Sequence, residues 1–236
     1  MKFIHSDQVK YNLESVTTDA GRYYKSPKTG VWYPSVTTVV GHADRDKFKN
    51  WSKDPKNQAE SKRTLDRGEN LHLGIEQYLS NNVDYNKTLK SVNSFLFEQI
   101  REELDKIQNI RMQESALWSD DIFIAGRVDC VAEYDGKLSI IDFKGSTKEK
   151  KESYIQGYFE QTTLYSIMYK EVYGESISSI VIMITAEDGS SQIFQKSPKD
   201  YVHQAVEKYR AYWKDHKLDL IQEKVKQYND RLAKLI

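Results

Sequence analysis

The chain has 236 residues, with 35 Lys or Arg balanced by 35 Asp or Glu, so its formal net charge is zero. This length suffices for one sizeable domain and does not require two. The missing basic excess argues against a broad surface that coats nucleic acid, whereas a narrow basic channel with acidic flanks is compatible with it.

Cys130 is the single cysteine, which excludes an internal disulfide and any site built from four cysteines, including an iron–sulfur cluster. No apolar run approaches the length of a transmembrane helix, and residues 1–6 lack the apolar core of a signal peptide. We therefore expect a soluble protein of a reducing compartment without a membrane partner. We also expect a monomer. A bacterial or phage-infected cytoplasm is favoured over a mature mitochondrial form.

The first predicted elements are two short strands, residues 22–24 and 31–33, joined by the turn-rich segment 26–30. Pro34-Ser35 then opens a short helix with Ser35 as its N-cap. The free backbone N–H groups at this end could hold a phosphate, and a plain helix cap is the alternative.

A polar region, residues 44–67, interleaves basic and aromatic side chains. These are Lys47, Phe48, Lys49, Trp51, Lys53, Lys56, Lys62, Arg63 and Arg67. The pattern suits a solvated helical face, or an electrostatic funnel in which the bases of a single strand stack on aromatic rings.

Residues 68–79 are predicted to form a helix with Leu71 and Ile75 on its inner stripe and His72 at the edge of that stripe. Taken alone, a histidine in this position is more often a satisfied core residue than a ligand. A second amphipathic helix, residues 89–107, is expected to be structural.

Residues 110–118 alternate as in a strand, and one predicted face carries a carboxylate among apolar groups. That face would hold Ile110, Met112, Glu114, Ala116 and Trp118. An unpaired carboxylate there costs on the order of several kcal/mol. We therefore expect Glu114 to meet a cation, a water bound to a cation, or Arg127, and a buried salt bridge is the structural alternative.

The central prediction is a β-hairpin over residues 126–146 that turns at Asp135-Gly136, a dipeptide suited to a two-residue type I′ turn. This turn sets a register with Asp129 opposite Asp142 and Arg127 opposite Lys144. Asp129, Asp142 and Lys144 then share one face. The apolar face would carry Val128, Cys130, Ile141 and Phe143.

Two carboxylates opposed in a hairpin have Cβ atoms about 5 Å apart and repel each other. A divalent cation between Asp129 and Asp142 is the simplest reason for this arrangement, because hard cations bind carboxylate oxygens. A solvent-exposed hairpin with chance charges is the alternative.

Residues 153–173 are predicted to be helical, with Gln161 and Tyr165 one turn apart toward the hairpin. Plain packing is the alternative to a functional pair. Two strands, residues 177–186 and 191–195, follow and pair across Asp188-Gly189, and helices at residues 197–213 and 218–236 complete the chain.

Five segments in this order resemble the PD-(D/E)XK nuclease superfamily and, within it, the RecB-like exonuclease branch with the mitochondrial genome maintenance exonucleases and their phage and bacterial relatives. They are Tyr33-Pro-Ser-Val-Thr-Thr-Val39, Arg67-Gly68-x-x-x-His72, Glu114-Ser-Ala116, Gly126-Arg-Val-Asp129 with Asp142-Phe-Lys144, and Gln161-x-x-x-Tyr165. The resemblance spans about residues 20–195. Gly145-Ser146 departs from the pattern, because relatives often carry Thr-Ser after the lysine.

The resemblance implies an α/β, restriction-endonuclease-like fold with a central mixed β-sheet flanked by helices. One nuclease domain, residues 1–236, would contain a helical arch or substrate channel at about 44–108, a catalytic core at 110–195 and C-terminal helices at 197–236.

It also implies a metal-dependent phosphodiester hydrolase that binds Mg²⁺ or Mn²⁺, as one or two ions. The implied metal ligands are His72, Asp129, Asp142 and the main-chain carbonyl of Phe143. The implied catalytic residues are Asp129, Asp142, Lys144 and Glu114. Lys144 would orient or deprotonate water, or stabilise the transition state electrostatically. The expected DNA contacts are Ser35, Thr37, Trp51, Arg67, Lys148, Gln161 and Tyr165.

The implied activity is exonuclease cleavage of single-stranded DNA from a free end. Sequence-specific cutting is not expected, because the sequence contains no helix-turn-helix or zinc-finger pattern. The alternatives are a structure-specific or restriction-like DNA endonuclease and a non-catalytic module that binds single-stranded nucleic acid.

Overall fold

The structure, a computed structural model, describes residues 2–45, 51 and 53–233. Lys47, Phe48 and Lys49, which belong to the predicted basic and aromatic region, lie outside the described residues. No helix in the described ranges has the length and apolarity needed to cross a bilayer.

A small antiparallel sheet lies near the N-terminus. It consists of β1 (Ser15–Thr18), β2 (Gly21–Lys25) and β3 (Trp32–Pro34), in that order across the sheet. The predicted hairpin is confirmed as β2 and β3, and β1 is a strand that the sequence did not reveal. Ser35 caps the following short helix α1 (Val36–Val40) by accepting a hydrogen bond from the Thr38 N–H, as predicted.

The central sheet has five strands in the order of the chain. They are β4 (Ile107–Ser119), β5 (Ile124–Tyr134), β6 (Lys137–Ser146), β7 (Ser179–Ala186) and β8 (Ser191–Lys196). Neighbouring strands are antiparallel except β6 and β7, which are parallel. A parallel pair needs a crossover, and a helix between β6 and β7 supplies it.

The longer helices are α2 (Pro55–Leu79), α3 (Ser91–Leu104), α4 (Gln156–Tyr173), α5 (Val202–Asp215) and α6 (Leu218–Ala233). The α2 helix begins well before the predicted residue 68, because Asp54 caps its end and Pro55 occupies its first position. The crossover between β6 and β7 is α4.

Apolar side chains fill both faces of the central sheet, so the fold has three layers. On one face, Leu71 and Phe97 from α2 and α3 pack with Ile141. On the other face, Phe159 and Met168 from α4 lie in a separate cluster of buried apolar residues. The predicted mixed α/β fold with a central sheet flanked by helices is confirmed.

The predicted common face of the first central strand was wrong. Ile110 packs in the core beside α2, Met112 in the core beside α4, and Trp118 against the small sheet. Asn109 and Glu114 have positive φ angles of 45° and 43°, which interrupt the regular alternation of side chains. A periodic sequence pattern contains no sign of such left-handed residues.

The predicted turn of the central hairpin is confirmed, since Asp135 and Gly136 have positive φ angles of 48° and 71°. Cys130 also pairs with Ile141, as this register requires. The β5–β6 pairing ends at that pair, so the predicted ladder contacts of Asp129 with Asp142, and of Arg127 with Lys144, do not form.

Val128 was also assigned to the wrong face. It lies in the core beside α4, whereas Cys130 lies in the core beside α2. The register of β4 on β5 is the same at both residues, but Glu114 and Asp129, which lie across from each other between them, are not paired, and Glu114 has a left-handed φ. This local distortion turns Val128 to the opposite side of the sheet.

Candidate active site

Side chains from α2, β4 and β5 converge at one point of the central sheet. The His72 Nδ1 atom lies 3.3 Å from Glu114 Oε1 and 3.7 Å from Asp129 Oδ2. One ligand atom from each of the three residues lies within 4.8 Å of the other two. The three groups are half-buried, so a small ion would be partly shielded from solvent while remaining accessible.

The divergence of β5 from β6 shapes this point. Asp129 Oδ2 accepts a hydrogen bond of 2.9 Å from the Phe143 N–H, so the carboxylate replaces a missing strand partner. The same carboxylate is thereby held toward His72. The splitting of the hairpin therefore brings the Asp129 side chain to the site.

His72 also contacts the Phe143 main chain. Its Nε2 atom lies 2.8 Å from the Phe143 carbonyl oxygen, which only accepts hydrogen bonds, so Nε2 carries a proton. This bond directs Nδ1 toward Glu114 and Asp129. The carbonyl predicted as a metal ligand lies at the site and accepts a hydrogen bond from His72.

Burial lowers the pKa of His72, but Asp129 and the hydrogen bond to Glu114 outweigh this effect and raise it to about 9. At neutral pH the protein alone therefore holds an imidazolium between two carboxylates. Opposite charges at these distances favour the protonated form.

Asp142 and Lys144 form a second, deeper part of the site. Asp142 is only 2% exposed, and its Oδ2 lies 2.5 Å from Lys144 Nζ. The Gln161 side chain donates a hydrogen bond of 3.2 Å to Asp142 Oδ1, so the predicted approach of Gln161 to the hairpin is confirmed. Both residues of the Asp142–Lys144 pair lie on β6, and Gln161 on α4 also holds Asp142 in place.

Burial raises the pKa of the Asp142 carboxyl; Lys144 opposes this change, and Asp129 adds to it. Burial alone would lower the pKa of Lys144, but Asp142 and Asp129 hold it above its ordinary value. Lys144 is therefore an ammonium at neutral pH.

Glu114 reaches the site from a strained backbone position. Its φ of 43° lies in the left-handed region, which costs a non-glycine residue roughly 1–2 kcal/mol. Arg127 supports this conformation: its Nε donates a hydrogen bond of 2.9 Å to the Glu114 carbonyl and lies 3.5 Å from Glu114 Oε2. The predicted contact between Glu114 and Arg127 is confirmed.

Two residues near the site were not predicted. The Lys144 Nζ atom lies 5.1 Å from the ring centroid of Tyr158, over its face. Glu76 lies one turn after His72 on α2, and burial, with Glu114 second, raises the pKa of its carboxyl. Tyr158 precedes Gln161 by three residues, and this helical spacing is the sequence signal that could have identified it.

Three of the predicted DNA contacts are buried. Arg67 is 5% exposed, and its guanidinium bonds Glu187 and the Gly145 carbonyl. Tyr165 is 4% exposed, and its ring lies against Gly126, where an added Cβ would come within 2.8 Å of it. Ser35 is buried as a helix cap. These three side chains are buried and contact other parts of the protein, so the structure does not support their direct contact with DNA.

Other predicted DNA contacts lie on the surface. Trp51 is 42% exposed, and Thr37 in α1 and Lys148 after β6 are also exposed. These side chains are accessible to a partner, whereas Gln161 reaches into the site itself.

Comparison with known proteins identifies a family. The sequence profile of the PD-(D/E)XK nuclease superfamily matches residues 46–234. Mitochondrial genome maintenance exonuclease 1 of Homo sapiens is 31% identical over 133 residues, which are 52% of this chain and 37% of that protein. The protein of the same name from Mus musculus is 27% identical over 151 residues, 62% of this chain and 43% of that protein.

The counterpart from Xenopus tropicalis is 30% identical over 129 residues, 52% of this chain and 36% of that protein. The chain thus spans less than half the length of the curated relatives it matches. A crystal structure of a candidate exonuclease from Eubacterium rectale has a TM-score of 0.46 and 13% identity, covering 62% of this chain and 63% of that chain.

Proposed function

Because the chain belongs to the PD-(D/E)XK nuclease superfamily, we propose that it is a metal-dependent exonuclease that hydrolyses single-stranded DNA from a free end. The predicted family is confirmed by this membership. The meeting of His72, Glu114 and Asp129 beside the Asp142–Lys144 pair is the observation that carries the proposal. We propose that the whole chain forms one nuclease domain.

The donor atoms fit a divalent cation. His72 offers one imidazole nitrogen, and Glu114 and Asp129 offer carboxylate oxygens at mutual distances within 4.8 Å. Oxygen-rich sets suit Mg²⁺, and a single imidazole is accepted more readily by Mn²⁺. We propose these three residues as the ligand set, with Asp142 and the Phe143 carbonyl adjoining it.

When bound, a divalent cation lowers the pKa of water and offsets the charge that develops on the phosphoryl group. Lys144 supplies a second positive charge beside that position, held by Asp142. A general base needs a lowered pKa, whereas in the protein without metal Asp142 and Asp129 raise the pKa of Lys144. This favours electrostatic stabilisation of the transition state by Lys144 over proton abstraction.

The preference for a single strand rests on the surface near α2. Trp51 is accessible for base stacking, and Lys53, Lys56 and Lys62 are exposed at or near the start of α2. The near-neutral charge of the chain suits a threaded strand better than a wide duplex groove. The curated relatives are named exonucleases, which supports the use of a free end.

Three substrates of one sequence test the proposal: a linear single strand labelled at either end, its circular form, and the linear duplex. With Mg²⁺ or Mn²⁺ we expect the linear single strand to shorten from an end, the circle to stay intact, and chelator to stop the reaction. Cleavage of the circle would instead establish an endonuclease. Binding of the strand without hydrolysis under every metal condition would establish a binding module.

A further inference from the structure

The Lys144 ammonium lies over an aromatic ring that no sequence motif included. Its Nζ is 5.1 Å from the ring centroid of Tyr158, a half-buried residue in the first turn of α4. A cation at this distance is attracted by the electron-rich face of the ring. The geometry points to Tyr158 as a positioning residue that holds Lys144 at the site, an inference that rests on the proposed nuclease function.

Lys144 needs a second contact to hold it, because Asp142, its first partner, also faces the proposed metal site. The ammonium lies 2.5 Å from Asp142 Oδ2, but this carboxylate also adjoins the proposed metal ligands. A divalent cation nearby would draw on the Asp142 charge and weaken its hold on Lys144. The ring of Tyr158 is neutral, so its attraction for the Lys144 ammonium does not depend on a charge that the divalent cation would draw on. This attraction therefore persists when the metal is bound.

The α4 helix presents this support in a fixed position. Gln161, three residues after Tyr158, donates a hydrogen bond of 3.2 Å to Asp142 Oδ1. One face of α4 therefore holds both members of the pair, Asp142 through an amide and Lys144 through a ring. Phe159 anchors the same turn, because it is fully buried and stacks on Tyr201 with ring centroids 4.7 Å apart.

Nuclear magnetic resonance of the protein without metal tests the placement directly. With ¹³C-labelled lysine, we expect the ε-methylene protons of Lys144 to be shifted upfield by the ring current, with their signal assigned by its loss in Lys144→Ala. The shift should persist in Tyr158→Phe and vanish in Tyr158→Leu. An unshifted Lys144 signal in the wild type would overturn the proposal, whatever the enzymatic activity.

Steady-state kinetics on the linear single strand test the consequence. We expect Tyr158→Leu to lower kcat roughly tenfold with little change in KM, and Tyr158→Phe to retain kcat within about threefold, since both tyrosine and phenylalanine rings attract cations. Tyr154→Leu is the matched control, because Tyr154 is 76% exposed and lies four residues earlier. Its kcat should equal that of the wild type.

Three kinetic outcomes would overturn the proposal. An unchanged kcat in Tyr158→Leu would show that the ring is dispensable. A higher KM with unchanged kcat would assign the ring to substrate stacking. An equal loss of kcat in Tyr158→Phe and Tyr158→Leu would assign the effect to the hydroxyl.

If Tyr158→Leu melts at a lower temperature than the wild type, Tyr158→Met replaces it as the ring-free variant. A wild type without nuclease activity refutes the proposed function, while the lysine shift still decides the placement.

Discussion

Lys144 and Asp142 show how two side chains set the charge of a buried pair. The Lys144 Nζ and Asp142 Oδ2 atoms lie 2.5 Å apart, and Lys144 is protonated at neutral pH. Removing one member leaves the other without its counter-charge in a largely buried place, which penalises the remaining charge. Both members are therefore needed for the site to keep its electrostatic pattern.

We expect Lys144→Ala and Asp142→Asn each to lower kcat by about 100-fold or more, because preorganised charge at the reacting phosphate is lost. Binding of a single-stranded oligonucleotide should stay measurable by fluorescence anisotropy. Lys170→Ala on the exposed side of α4 serves as the control and should retain wild-type turnover. Retained turnover in either site variant would contradict the assignment.

As a proposed metal ligand, His72 is expected to couple metal binding to pH. Its pKa of about 9 in the protein alone means that the imidazole is protonated at neutral pH, and a metal bound at Nδ1 must displace that proton. The affinity for Mn²⁺ should therefore rise about tenfold per pH unit up to roughly pH 9 and then level off.

Isothermal titration calorimetry in buffers of different ionisation enthalpy measures both the affinity and the proton released. In His72→Gln we expect weaker binding and little proton release in this range. A wild-type affinity that does not change with pH would show that the metal binds without the His72 nitrogen.

At the scale of elements, α2 shows how one helix serves both the core and the site. Arg67, Leu71 and Ile75 form its buried line, whereas half-buried Gly68 and His72 form an adjacent line that leads to the candidate site. A turn of helix separates Gly68 from His72, so they share one face. Glycine inside a helix reduces its stability relative to alanine.

We expect Gly68→Ala to raise the free energy of unfolding by roughly 0.5–1 kcal/mol, because a Cβ there meets no atom within 4 Å. Gly74→Ala in the same helix is the opposite case, since its Cβ would lie 2.2 Å from Leu89 Cδ2. That variant should be less stable. Urea denaturation compares both with the wild type, and a destabilised Gly68→Ala would refute the account.

At the scale of the whole molecule, one cluster of charges ties α2 to the central sheet. Glu187, just after β7, accepts hydrogen bonds from Arg63 and Arg67, and Arg67 also bonds the Gly145 carbonyl next to Lys144. Burial raises the pKa of Glu187, but the two arginines outweigh this and lower it below its ordinary value of 4.5. The helix that carries His72 is thereby attached to the strand that carries Lys144.

We expect Glu187→Gln to lower the free energy of unfolding at pH 7 by about 1.5–3 kcal/mol, as for the loss of hydrogen bonds to charged groups. A carboxyl whose pKa is lower in the folded than in the unfolded protein stabilises the fold when the pH is above its unfolded pKa. This stabilisation is lost as the pH falls through its folded pKa. The difference between wild type and variant should therefore narrow below pH 4.5. Denaturation at several pH values measures it, and a difference independent of pH would contradict the linkage.

Much of this fold was predictable from local signals. Asp135-Gly136 predicted the turn and its register because only certain residues accept positive φ at both central positions. Ser35 predicted the cap of α1, and the apolar spacing around Leu71 predicted the buried face of α2. These features depend on residues close together in the chain, so a short window of sequence contains their physical cause.

The contacts that build the site were decided by packing between distant segments. His72 meets Glu114 across 42 residues, and Arg67 meets Glu187 across 120. Left-handed Glu114 and the early end of the β5–β6 pairing moved Val128 and Asp129 from their expected positions. Motifs pointed to His72, Glu114 and Asp129, which the structure brings together. Their arrangement followed from how sheet and helices pack, because backbone distortion and long-range pairing leave no periodic trace in the sequence.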